Sequence, residues 1–305
     1  MIAFLIRRIG TAILVVFTVS LLAFMLVRLA GDPAAAIAGE GATPADIERI
    51  RILYGFDKPW FHTYLLWLER IFNGDLGYSP ITRQDVSAMI AKALPVTLTL
   101  GGMAMLFAMM LSLPLGIIAS LKPNGLVDRI VLAITVVFQA MPVFWMGLLL
   151  LLYFGLYWRL FPTGGDATLK HFVLPAAALG LFASPGLIRL TRAGMLDALA
   201  SDYVRTARAK GMSEMTIVLR HTIPNAMIPV VALAAVECGT LLGGSIVIEA
   251  VFSLNGLGQL AWRAIQRLDI AVIQGVVLVV AVIYILLTLF ADFLNAFLDP
   301  RIRVK

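Results

Sequence analysis

The chain has 305 residues, 61% of them hydrophobic and only 14% charged, with a mean hydropathy of +0.95. Soluble domains carry about a quarter charged residues, so this composition excludes an ordinary soluble protein and indicates an integral membrane protein. The net charge of +6 does not indicate nucleic acid, because the basic residues bracket apolar runs instead of forming one patch.

Arg7 and Arg8 precede an apolar run over about residues 9–27, long enough to cross a bilayer. A secretory leader would have an apolar region of about 7–15 residues followed by a small-x-small cleavage site. This run is longer and ends on Arg28, so a retained first span is expected. Residues 31–93 then form the largest polar segment. Thr43-Pro44-Ala45-Asp46 reads as a helix start, with threonine as cap, proline at the first position and an acid at the third. Gly55 is expected to stop that helix. A second should begin near Pro59 and run through Trp60, Tyr64, Trp67 and Ile71 to Gly74. Its aromatics at helical spacing fit a helix lying at the membrane interface, and fit the core of a small domain as well.

Five further spans are expected, at about residues 94–121, 130–158, 172–190, 226–252 and 270–298. Pro114, Pro142, Pro175, Pro185 and Pro229 fall within them, which helix bundles tolerate by re-satisfying the freed backbone groups. One side of these spans receives Arg7, Arg8, Lys122, Arg129, Arg192, Arg205, Arg208, Lys210, Arg220, Arg301, Arg303 and Lys305. The short loops opposite hold Arg159, Lys170, Arg263 and Arg267. The first side is therefore expected to be cytoplasmic, with both termini inside and residues 31–93 outside. Cys238, the single cysteine, lies within an apolar span, so no intrachain disulfide can form and packing is its expected role.

On the basic side, residues 202–229 read DYVRTARAKGMSEMTIVLRHTIPNAMIP, the longest strongly polar run between two spans there. Ala207, Ala209 and Gly211 are small, while Arg205, Arg208, Lys210 and Arg220 are cationic. Gly211 interrupts a helical pattern, Ser213 stands where a cap would restart it, and Glu214 occupies the favoured first turn. Two short helices joined at Gly211 are expected, with Pro224 ending the second. Such a unit is suited to being gripped by another protein, and the plainer reading is an ordinary amphipathic loop.

These residues resemble a family. Membrane subunits of ABC importers carry Glu-Ala-Ala, then Gly, then Leu-Pro at fixed spacing. Here Arg205-Thr206-Ala207, Gly211 and His221-Thr222-Ile223-Pro224 fall in that register. Ala207 and the Gly-to-Pro separation match, whereas Arg205, Thr206 and His221 depart from it. The form DYVRTARAKG, followed by a histidine and by NAMIP, is similar to the variant of dipeptide, oligopeptide and nickel permeases. Gly31-Asp32-Pro33, Gly74-Asp75-Leu76-Gly77-Tyr78-Ser79, Ile248-Glu249-Ala250-Val251-Phe252-Ser253-Leu254-Asn255-Gly256-Leu257-Gly258 and Asp299-Pro300-Arg301-Ile302-Arg303 resemble the same family, so the likeness runs along essentially the whole chain. Asn255 stands where the family has proline, and Leu268-Asp269-Ile270 where an acid-Tyr-Pro is common; these departures bear on substrate class, not on fold.

The resemblance implies an all-α membrane protein with six transmembrane helices, the type I ABC-importer permease fold, and a large external segment after the first span. The chain would be one permease domain: residues 1–30 as first span, 31–93 outside, 94–298 as a five-span core containing a cytoplasmic loop at 191–225, and 299–305 as a cytoplasmic tail. It would reside in a bacterial inner membrane beside a second, similar permease chain, two ABC ATPase subunits and an extracytoplasmic substrate-binding protein. The loop residues Asp202, Tyr203, Arg205, Thr206, Ala207, Arg208, Lys210, Gly211, Met212, Ser213, His221 and Pro224 would dock into the ATPase. The implied cargo is a peptide or related small solute, moved by alternating access. This chain would carry no cofactor, with ATP and magnesium on the ATPase partners.

The residues themselves agree that the chain is no ATPase, since GxxxxGK[ST] does not occur. No Ser or Cys has the setting of an activated nucleophile. His62 and His171 fall on the side opposite His221, so these three do not share a metal; contact of His62 or His171 with a nickel substrate competes with an ordinary surface role. The candidate pathway residues are Glu237 near the middle of the fifth span, Gln139 inside the third and Glu249 near the outer end of the fifth. Asp292 lies near the inner end of the sixth. Two readings of Glu237 stand side by side: a pathway acid meeting a substrate amine, or a protonated or hydrogen-bonded acid joining helices. Gly239 and Gly243 give a GxxxG spacing that favours close helix packing. A secondary transporter or channel is the alternative in a different class; it calls for a relay of buried ionisable groups, for which one central acid is thin support.

Overall fold

The computed structural model describes residues 2–29, 32–39, 41–53, 55 and 57–298. Gly31 and the expected tail 299–305, including Asp299 to Arg303, lie outside the described residues.

Helix α1 (Ile2–Leu29) continues past the first apolar run at both ends. Asp32 then caps α2 (Pro33–Ala38), accepting from the Ala34 amide at 3.0 Å and pairing with Arg51 at 2.6 Å. The next helix, α3 (Pro44–Leu53), starts as its sequence requires. The Thr43 hydroxyl donates to the Asp46 carboxylate at 2.6 Å, and the Asp46 amide donates back to that hydroxyl at 3.3 Å. The Thr43 hydroxyl bond holds the Asp46 carboxyl below the usual carboxylate range. In α4 (Trp60–Phe72), Tyr64 is buried against Phe17 and Phe24 of α1, and its hydroxyl meets Ser20 at 2.7 Å. Phe61, Leu65 and Phe72 are exposed on another face. The helix thus packs Tyr64 on α1 while turning a second apolar stripe away from the chain.

Strands β1 (Tyr78–Ser79) and β2 (Gln84–Asp85) form a short antiparallel hairpin. Ser79 is fully buried, and its hydroxyl donates to the carboxylate of Asp269. The Gly74-to-Ser79 motif is therefore an anchor that fastens the segment to the far end of the sequence.

The centre of the bundle is the parallel pair α5 (Val86–Leu121) and α8 (Leu169–Leu199), the most extensive helix contact in the chain. Small residues allow it. A Cβ at Gly180 would lie 2.8 Å from the Ala104 carbonyl oxygen, and one at Gly116 would lie 2.5 Å from Thr191. Helices in lipid gain little from apolar burial alone, so close backbone approach is what holds such a pair. Pro185 sits inside α8 without breaking it, and the Ser184 hydroxyl donates to the Leu181 carbonyl, which that proline leaves free, at 2.9 Å.

The expected third span is broken. Helix α6 (Leu126–Ala140) meets α7 (Val143–Leu150), which continues as a π-helix over Leu151–Tyr157, at 103°. Met141 is extended, as a residue before proline prefers, and Pro142 has no N–H to carry the ladder on. Among the described residues, five continuous helical segments are long and apolar enough to cross a membrane, six when this bent pair is counted as one broken span.

After α8 come the short helices α9 (Asp202–Ala209) and α10 (Glu214–Ile217), then α11 (Ile223–Val251), α12 (Leu257–Gln266) and α13 (Ile270–Leu298). Pro224, expected to end the second short helix, does not. A π-turn over Val218–Thr222 carries α10 into α11, and its wider coil accommodates the missing N–H and the proline ring. At one end of the bundle, called here the loop end, Asp292 of α13 pairs with Arg8 of α1 at 3.1 Å. The other end carries the β-hairpin and α12.

Candidate functional site

The loop between α8 and α11 is a compact unit with a small core of its own. Gly211 sits at φ 77°. The Gly211 amide donates to the Arg208 carbonyl at 2.9 Å, and the Met212 amide to the Ala207 carbonyl at 3.3 Å. This is the double bond pattern that closes a helix on a left-handed glycine. Met212 packs on Val204, Ala207 and Ile217, which form a small core of their own. Ser213 caps α10, accepting from the Thr216 amide at 3.4 Å. Arg208 clamps Glu214 through two bonds, at 2.8 and 3.1 Å, tying α9 to α10. The outward face presents Tyr203, Met215 and Leu219 among Arg205, Lys210 and Arg220, all exposed. Asp202, Thr206 and Pro224 are exposed too, whereas His221 is half-buried in the π-turn with its Nε2 lacking a partner.

The pathway candidates do not share one environment. Gln139 lies at the end of α6, beside the break, and its Oε1 accepts from Arg189 of α8 at 2.7 Å. Arg189 is a cation within the expected fourth span that sequence reading did not single out. One turn further along α8, Arg192 holds the buried Asp128 of α6 through two bonds, at 2.6 and 2.7 Å, with the Asn124 amide adding a third at 2.8 Å.

Glu249 is fully buried. Its Oε1 accepts from the Thr97 hydroxyl at 2.7 Å and its Oε2 from the Gln259 amide at 2.9 Å. Thr97 in turn accepts from the Leu257 amide at 2.8 Å. The carboxylate thus seats the first turn of α12, where free amides and the helix dipole favour a negative charge. A Cβ at Gly256 would come within 2.5 Å of this carboxylate, and one at Gly258 within 2.9 Å. The Ile248-to-Gly258 motif is a lock between α11, α5 and α12. The expectation that Glu249 lines a passage is corrected accordingly, because the side chain has no open surface and both oxygens are engaged by α5 and α12.

Glu237 is half-buried, and its carboxylate accepts from the Thr240 hydroxyl at 2.6 Å. Beside it Pro229, Val236, Thr240, Gly243 and Val247 form an exposed stripe along α11. The GxxxG pair divides: a Cβ at Gly239 would press on the Tyr284 ring of α13 at 2.8 Å, while Gly243 has open space. His171 caps α8 with Thr168, and His62 lies 3.5 Å from Lys58. Among the described residues, no three His, Cys, Asp or Glu side chains are arranged to hold a metal.

A family model described as "Binding-protein-dependent transport system inner membrane component" matches residues 112–304, and its N-terminal companion, "Binding-prot-dependent transport system membrane comp, N-term", matches residues 1–101. The chain is 34% identical over 338 residues to the dipeptide transport system permease protein DppB of Escherichia coli K12, covering 100% of both. It is 39% identical over 306 residues to the glutathione transport system permease protein GsiC of Escherichia coli O6:H1, again covering 100% of both. Among solved structures it is similar to an inward-facing MetNI methionine ABC transporter chain, with a TM-score of 0.60 at 20% identity over 69% of this chain and 96% of that one.

Proposed function

The chain belongs to the family of binding-protein-dependent transport system inner membrane components, and on that premise we propose that it forms half of the passage of an ATP-driven importer for peptides or related small solutes. It is a multi-pass permease of the type I ABC-importer fold. Dipeptides, longer peptides, glutathione-like molecules and nickel chelates fall within the cargo class. A second permease chain supplies the other half of the passage. Two ATPase subunits hold ATP and magnesium, and an extracytoplasmic binding protein delivers cargo. This chain makes and breaks no covalent bond.

The observation that carries the reading is the α9–α10 loop. Its core, clamp and caps give it one shape, and it spends none of its exposed Tyr203, Met215 and Leu219 on its own chain's interior. ATP-driven closure of the ATPase pair pushes this body, and α10, continuous with α11 through the π-turn, passes the push into a spanning helix. Nucleotide thereby supplies differential affinity for one of two bundle arrangements. The exposed α11 stripe with Glu237 at its edge faces the passage or the second permease chain. The asymmetry of Lys and Arg supports a cytoplasmic loop end and cytoplasmic termini.

Proteoliposomes holding the full complex test the proposal. Labelled dipeptide should enter only with ATP on the loop side and binding protein on the other. Uptake driven by an ion gradient without ATP would move the chain to the secondary transporters.

A further inference from the structure

At the hairpin end, a groove runs between the β-hairpin, the start of α5 and α12. It holds two recesses of about 200 and 180 Å³ that share Met89, Leu260 and Arg263. Arg267 lines the first and Lys92 the second. Among the described residues none of Lys92, Arg263 and Arg267 forms an ion pair, and Arg263 makes only a 3.4 Å bond to the Asn255 side chain. The one acid on the lining, Asp269, is already engaged by Ser79 and by the Val272 amide. Gln259 also lines the second recess, its Oε1 buried and without a partner. The groove is therefore a concave surface lined by three cations that have no ion-pair partner among the described residues, the nearby Glu249 carboxylate being buried and already held by Thr97 and Gln259.

Size decides what enters. Pockets for small molecules run from about 300 to 1,000 Å³, and each recess here is smaller, the size of a side chain. We infer that this groove seats acidic side chains of the extracytoplasmic binding protein, one carboxylate on each side of Arg263. The inference rests on the binding-protein-dependent reading above and adds to it a place and a chemistry. Lys92 and Arg267 lie on different elements, so a docked acidic segment would bridge α5 and α12. Charge pairs of this kind act mainly on encounter rate and on salt dependence.

The test uses the complete permease–ATPase complex in nanodiscs. The probe is the solute-binding protein whose addition stimulates the wild-type ATPase. Charge reversal in R263E/R267E should weaken its Kd at least tenfold and flatten the dependence of Kd on salt. Basal ATPase should stay at the wild-type rate, and R263Q/R267Q should fall between. Affinity and salt dependence equal to wild type in R263E/R267E would overturn the inference and leave the importer reading standing. Intact affinity with reduced uptake would also overturn it, in favour of direct contact with cargo. A wild-type complex that no binding protein stimulates would overturn both.

Discussion

Glu249 and Glu237 lie on the same helix and illustrate opposite uses of an acid. Glu249 has no exposed surface and accepts from Thr97 and Gln259. In Glu249→Gln, the amide oxygen keeps the Gln259 bond while its NH2 faces Thr97, whose hydroxyl then loses the acceptor it now donates to, at a cost of about 1–3 kcal/mol. Gly256→Ala forces a methyl against the same carboxylate and should cost about 1–3 kcal/mol of overpacking. Both variants should lower the melting temperature and yield of the purified complex; wild-type values would remove the lock from the account. Glu237→Gln should leave assembly and basal ATPase intact, and uptake of cargo with a free amine should fall more than uptake of a blocked analogue. Equal, unchanged uptake of both would take Glu237 off the pathway, and loss of assembled complex in Glu237→Leu would assign it to packing. Sequence reading found both acids because a carboxylate in an apolar run stands out. It could not tell them apart, since the Thr97 partner that defines Glu249 lies 152 residues away.

Helical elements were legible where the chemistry is local and obscure where it is not. Thr43 to Asp46 starts α3, and Gly211 separates α9 from α10, because caps and left-handed glycines act within a few residues. Proline misled in both directions. Pro224 sits inside a continuous helix and Pro142 breaks one, and the difference lies in what the neighbouring backbone can absorb. The Gly211 turn yields a direct prediction. With φ at 77°, a β-branched residue there costs on the order of 1–3 kcal/mol. Gly211→Val should leave the protein inserted while weakening co-purification with the ATPase and binding-protein-stimulated hydrolysis. Gly211→Asn, which tolerates that conformation, should retain both. Co-purification and stimulation of Gly211→Val at wild-type levels would show that the turn does not set the docking surface.

At the scale of the whole molecule, orientation is the quantity to measure. Ser79 is a poor reporter because it is buried against Asp269, whereas Asn73 is exposed on the same segment. A cysteine replacing Asn73 in a Cys238→Ser background should react with an impermeant maleimide from outside intact cells. One replacing Ser213 should react only after the membrane is opened. The reverse pattern would invert the topology and remove the loop from the ATPase side. The Lys and Arg asymmetry is the sequence feature that predicts this orientation; the cationic groove has no such signature in the sequence, because Lys92 and Arg263 meet only once α5 and α12 are folded together.

The tie between Ser79 and Asp269 has a bearing on biogenesis. Its two ends are 190 residues apart. A chain emerging from the ribosome therefore makes the hairpin early and holds it without its anchor until Asp269, just ahead of the last span, has been made. Quality control acting on half-made chains would meet an unfastened hairpin, and a protease supplied outside should cut near residues 73–85 in nascent chains ending before residue 269 but spare the finished protein. Asp269, made only after all but the last span, thus completes the fastening of the hairpin.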